Sequence, residues 1–211
     1  MLGRRRKPPV LAEVPLRQGG TERQGALGRA ELEALGGLAD SIAGAGTVFA
    51  TGPARSTVAL GLAAVTTARG GRAALLECDL AEPALASLLH LEEVPGLHEY
   101  LEGGVEASEI LQPLVLAGPA SGRASEPLVC IVAGASEPQP VALLDSERCD
   151  KAIQELSRAY DLLVIDGPGL GEDAHSLQAL SEHAGATIVC GSRPEIPRKL
   201  PLDASGLVII G

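Results

Sequence analysis

Aromatic residues are almost absent from this chain of 211 residues, which has two tyrosines, one phenylalanine and no tryptophan. Phe49, Tyr100 and Tyr160 are the whole set, so the core must be built from Leu, Val, Ile and Ala. A chain this poor in rings lacks the exposed stacking platforms that hold single-stranded nucleic acid. The four cysteines, Cys78, Cys130, Cys149 and Cys190, form no Cys-x-x-Cys pair and read as reduced thiols in apolar surroundings. His175 and His183 lie over two helical turns apart, and His90 and His98 are separated by a loop-like stretch, so no zinc site is supported. No apolar run approaches the ~20 residues of a membrane span, and no secretory signal pattern appears. The expectation is a cytoplasmic chain.

Positive charge is scarce beyond the first thirty residues. Residues 1–30 carry seven Lys or Arg and two Glu, a net of +5, whereas the remainder is −15 and the whole chain −10. An acidic body argues against general affinity for DNA, though not against a local basic groove, and no specific nucleic-acid partner is expected. The patch Arg4-Arg5-Arg6-Lys7 is suited to the inner face of an anionic membrane, at roughly 1 kcal/mol per basic residue. The length fits one domain, residues 31–211, behind a basic N-terminal extension, residues 1–30.

What the chain does have is a regular alternation of apolar runs and helical stripes. After Pro8-Pro9, the segment VLAEVPL reads as an extended piece along a sheet edge. Leu32, Leu35, Leu38 and Ile42 recur at helical spacing over residues 29–43. Strand signals follow at 47–51, from RAALLEC to Asp79, at 113–118, 127–134 and 186–190, in DLLVIDGPG, and in the final GLVIIG. Helices are expected from Thr57 to about 68, in short pieces near 84–90, 107–112 and 140–145, and at 147–158 and 173–184. The run RPEIPRKLPLD reads as irregular. Strands with little polar alternation, interleaved with helices, imply a three-layer α/β fold with a mainly parallel sheet covered on both faces. The strand carrying Val164 and Ile165 is apolar on both sides and should be central.

Between the strand at 47–51 and the helix that follows lies TGPARST, residues 51–57. A loop of the form GxxxxGK[ST] wraps backbone N–H groups around phosphates, with its lysine on phosphate and its hydroxyl on magnesium. Here the hydroxyl pair Ser56-Thr57 is present, but Ala54 stands where a glycine is expected and Arg55 where the lysine is. Pro53 has no N–H to offer, and the upstream glycine position is Phe49. Arginine keeps the charge, but its planar fork does not reproduce lysine's point contact. Ligands in open parallel sheets bind beyond the carboxyl ends of strands. That rule brings Gly52 to Thr57, Glu77 with Asp79, and Asp166 toward one point. Ser56 would hold a magnesium ion, with Asp166 behind it and Asp79 placing a water.

In order and spacing these segments resemble the cytoplasmic ATPase domain of bacterial tyrosine kinases of capsule and exopolysaccharide export, within the MinD/ParA-like group of P-loop ATPases. The segments are PVLAEVPL, TGPARST, LLECDLAEPAL, GLHEYLEGG, LVCIVAGASEPQPVALLDSE and YDLLVIDGPGLGEDA, over about residues 8–190. The resemblance implies nucleotide binding by Gly52, Ala54, Arg55, Ser56 and Thr57, a metal at Ser56, Asp79 and Asp166, and catalytic roles for Asp79 and Asp166. It places Glu77 and Asp79 at the family's paired aspartates. The departures from the pattern imply a degenerate member, a pseudokinase with no cofactor, or with ATP and magnesium if binding is retained. The alternative is a weakly active capsule-type or MinD/ParA-like ATPase in which Arg55 replaces the lysine. Neither Tyr100 nor Tyr160 reads as an acceptor of self-phosphorylation. Expected partners are a membrane-associated polysaccharide-export protein or further copies of the chain, contacted through residues 1–43.

Overall fold

The computed structural model describes residues 7–15, 29–115, 127–135, 141–171 and 174–211. Arg4, Arg5 and Arg6 lie outside them. Strands β1 (Val10–Val14), β2 (Thr47–Thr51), β3 (Ala73–Glu77), β4 (Gln112–Leu114), β5 (Leu128–Ile131), β6 (Leu162–Asp166), β7 (Ala186–Gly191) and β8 (Gly206–Ile210) form one sheet. Their order is β1-β8-β7-β2-β6-β3-β5-β4, and all neighbours are parallel except β4 with β5. Helices are α1 (Arg29–Ser41), α2 (Arg55–Ala68), α3 (Leu85–Leu89), α4 (Leu97–Glu102), α5 (Val141–Leu144), α6 (Glu147–Ala159) and α7 (Ala174–Glu182).

The sheet separates two cores. Leu35 and Leu38 of α1 and Val58, Leu62 and Val65 of α2 pack on one face, over Val48, Leu75 and Val164. Leu97 of α4, Ile153 of α6 and Leu177 of α7 pack on the other, over Phe49, Leu76 and Ile165. Burial from both sides is why these strands show no polar alternation. As expected, β6 is central, between β2 and β3, with Leu163, Val164 and Ile165 fully buried. β1 lies at the sheet edge against β8.

Several expected boundaries move. α2 starts at Arg55 rather than Thr57, and β3 ends at Glu77 rather than Asp79. The helix expected at 107–112 is one 3-10 turn, Ala107–Glu109, and the strand expected at 113–118 is the short β4, with 116–118 outside the described residues. α4 had no periodic signal, because six residues are too few to show one. Its start is held by Glu99, whose carboxylate accepts the N–H of Gly96 at 2.8 Å and of Ala135 at 3.0 Å.

Candidate phosphate-loop site

The loop begins as a tight turn. Gly52 has φ of +101°, and a Cβ there would lie 2.4 Å from the Cys190 carbonyl oxygen, so only glycine lets β2 turn this close to the end of β7. The Thr51 hydroxyl donates to the Pro168 carbonyl at 2.6 Å, tying the turn to the segment after β6. The Ala54 N–H donates to the Cys190 carbonyl at 3.2 Å and the Arg55 N–H to the Gly52 carbonyl at 3.1 Å. Pro53 has no N–H. None of these three residues therefore presents a free backbone donor. Ser56 and Thr57, in the first turn of α2, are half-buried, and their N–H groups have no acceptor within the helix.

Phe49 explains why the wider loop is missing. It sits inside β2, fully buried, with its ring against the backbone of Gly167, where a Cβ would lie 2.0 Å from the ring. The strand continues where the resemblance expects a glycine turn.

Arg55 turns its side chain inward. Its guanidinium pairs with Asp79 through one terminal nitrogen, and its other terminal nitrogen lies 3.4 Å from the Gly52 carbonyl oxygen. Its Nε faces Asp166 Oδ1 at 3.5 Å without hydrogen-bond geometry, and neither atom has another hydrogen-bond partner among the described residues. The side chains of Asp79 and Asp166 are 4% and 1% exposed. Gly52, Arg55, Ser56, Asp79 and Asp166 thus meet in one cluster, with Ala54 and Thr57 beside it.

The two acids differ from ordinary carboxylates. Burial raises Asp166 to about 7; the Ser56 hydroxyl, hydrogen-bonded to it, and the Arg55 charge pull it down, while Glu77 and Asp79 push it up. Asp79 is also raised, chiefly by burial, against the Glu82 N–H, which it accepts at 3.0 Å, and against Arg55.

Glu77 has a different role from the one the resemblance gave it. Its carboxylate accepts the N–H groups of Ala84 at 2.5 Å, Leu85 at 2.8 Å and Ala133 at 2.9 Å. It therefore organises the start of α3 and the end of β5 and has little capacity left for a ligand. The absence of a side-chain cap at Ala84 was the sequence signal that an outside acceptor was needed. All four cysteines are buried and unpaired. Burial pushes Cys130 and Cys149 up to about 12 and raises Cys78 and Cys190 as well, so none supplies a thiolate at neutral pH. Among the described residues, no three His, Cys, Asp or Glu side chains gather as a metal-binding group.

No protein-family model matches the chain. It is 30% identical over 135 residues to the tyrosine-protein kinase wzc of Salmonella typhimurium. The match takes in 64% of this chain but only 17% of that protein, so the chain spans about a sixth of its relative's length. Among solved structures, the chimerical protein CapA2B2 superposes with a TM-score of 0.76 at 18% identity, over 96% of this chain and 94% of that one. The kinase domain of Escherichia coli tyrosine kinase ETK gives a TM-score of 0.75 at 18% identity, over 95% and 88%. This chain is a P-loop NTPase-fold domain homologous to the bacterial tyrosine kinases. The carboxyl ends of β2, β3 and β6 carry the cluster around Arg55, the position at which parallel sheets of this class bind ligands. Among the described residues, no helix is long and apolar enough to cross a membrane.

Proposed function

We propose that this domain is a P-loop relative closed by its own arginine, acting as a regulatory or scaffold subunit in bacterial polysaccharide synthesis or export rather than as a kinase. The observation that carries the reading is the guanidinium of Arg55 lying between Asp79 and Asp166. In this reading an internal cation stands where a metal ion and phosphate would need room, and it neutralises the carboxylates that would otherwise attract magnesium. The inward use of the Ala54 and Arg55 N–H groups supports the same conclusion, because a phosphate cradle needs those donors free. As disposed, the loop does not fit a magnesium-bound triphosphate. A calorimetric titration of the chain with magnesium-ATP, beside Arg55→Lys, tests this. Absent or millimolar binding is expected for the wild type; a micromolar dissociation constant would overturn the reading.

A second reading has its own support. Ser56, Asp79 and Asp166 converge on one point, as a weakly active ATPase using Arg55 in place of lysine would need. It requires micromolar binding whose magnesium dependence disappears in Ser56→Ala. In the scaffold role, the expected contacts run through the N-terminal segment and α1 to a membrane-associated export protein or to a second copy, on the cytoplasmic side of the membrane. Because β1 pairs with β8, the deletion that tests this must spare residues 7–15. Removal of residues 1–6 is expected to abolish retention on membranes in a pull-down while the core stays folded.

A further inference from the structure

The connection from β7 to β8 is unlike the domain's other parallel crossovers. Parallel neighbours need a crossover, usually a helix that covers the sheet face. α1 leads from β1 to β2, α2 from β2 to β3, α5 and α6 from β5 to β6, and α7 from β6 to β7. Residues 192–205 join β7 to β8 with no helix at all. The face of β7 and β8 opposite α2 is roofed among the described residues chiefly by this irregular segment, which packs Ile196 and Leu200 over Val189, Leu207 and Ile209, with Leu170 from the segment after β6 beside them. A loop cannot fill a helix's volume, and a cavity of about 420 Å³ remains beneath it, within the usual size of a small-molecule site.

The lining is chemically specific. Leu200, Leu207 and Ile209 give it an apolar interior, and Lys7, Arg193 and Arg198 bring three positive charges to it. Among the described residues no carboxylate lines it, in a chain whose net charge is −10. Arg193 is held by Glu13 on β1, while Lys7 and Arg198 have no ion pair among the described residues. The nearby Glu195 is turned away onto Ser192, accepting its N–H at 2.9 Å and its hydroxyl at 2.5 Å. Cations around a partly enclosed apolar volume attract an acid head while the floor takes an apolar body.

We propose that this cavity, between the helix-free β7–β8 connection and the β8 edge, binds a small anionic amphiphile, an apolar body carrying a phosphate or carboxylate. It is separate from the Arg55 cluster. Such chemistry can come from a membrane lipid or from a soluble phosphoester. Calorimetric titration of the full chain with octyl phosphate is expected to show saturable binding. Lys7→Ala/Arg198→Ala should weaken it at least about tenfold, as expected for loss of charge-assisted contacts. Inorganic phosphate and uncharged octyl glucoside should each bind far more weakly than octyl phosphate. Leu200→Ser, on the loop roof, tests the apolar half without touching the cations and should also weaken binding, with circular dichroism confirming the fold. Octyl phosphate binding no better than inorganic phosphate, or unchanged in both variants, would overturn the proposal. Co-sedimentation with phosphatidylglycerol vesicles distinguishes the sources. Loss in the same variants assigns the site to lipid, whereas unchanged co-sedimentation beside lost octyl phosphate binding assigns it to a soluble ligand.

Discussion

Glu77 and Asp166 are register partners on adjacent parallel strands, and both are 1% exposed, yet the fold treats them in opposite ways. Glu77 is answered by three backbone N–H groups from two separate segments, all within 2.9 Å. Asp166 is answered by side chains, the Ser56 hydroxyl and the more distant Arg55. Backbone donors cannot leave without unfolding the chain around them, whereas an arginine can rotate away. Burial alone therefore does not distinguish a structural acid from a site acid. The identity of the partners does.

The largest effect should fall on Glu77. Glu77→Ala leaves three backbone donors, two of them in buried bonds, without an acceptor and should cost about 3–5 kcal/mol in denaturant unfolding. A loss as small as that of a surface substitution would erase the contrast between the two acids.

Asp166 should reveal itself through pH. Its folded pKa of about 7 lies above the ordinary carboxylate value near 4, so the folded state holds the proton more tightly than the unfolded chain does. Stability from this group is full below about 4 and is lost as pH rises through about 7. Between pH 5 and 8 the wild type should lose roughly 2–3 kcal/mol from it, a decline that Asp166→Asn should largely remove. Parallel pH profiles of the two proteins would show that Asp166 is as well satisfied as Glu77.

The smallest effect sharpens the comparison from outside. Arg69 and Asp40 form an arginine–aspartate pair at 2.8 Å with side chains 50% and 69% exposed. Arg69→Ala should change stability by no more than about 1 kcal/mol, because solvent screens such pairs. A larger value would mean that arginine–aspartate pairing itself, and not its burial, sets the energetics at Arg55.

Much of this is legible in the amino-acid sequence. The continuous apolar runs of β2, β3, β6 and β7 could only belong to strands buried on both faces, and β6 was recognisable as central from Val164 and Ile165 alone. The gathering of Ser56, Asp79 and Asp166 followed from their positions after strand ends. Among the short elements, α3 and α5 fall where helical pieces were expected and β4 overlaps the strand expected at 113–118. α4 was not legible: it is held by a distant partner, Ala135 for Glu99, and leaves no periodic trace.

The amino-acid sequence by itself determined the layered parallel fold, because apolar periodicity dictates which faces must be buried. It also determined the altered chemistry of the loop, because a missing lysine, a missing glycine and an added proline are facts of covalent structure. Only the tertiary structure decided what those residues do. Whether Arg55 points outward to a phosphate or inward to Asp79 and Asp166, and whether Glu77 serves a ligand or the chain, depends on groups distant in sequence, 24 residues away at Asp79 and 56 at Ala133. The same holds for the cavity beside β8, which exists because a crossover without a helix cannot fill the volume that a helix would.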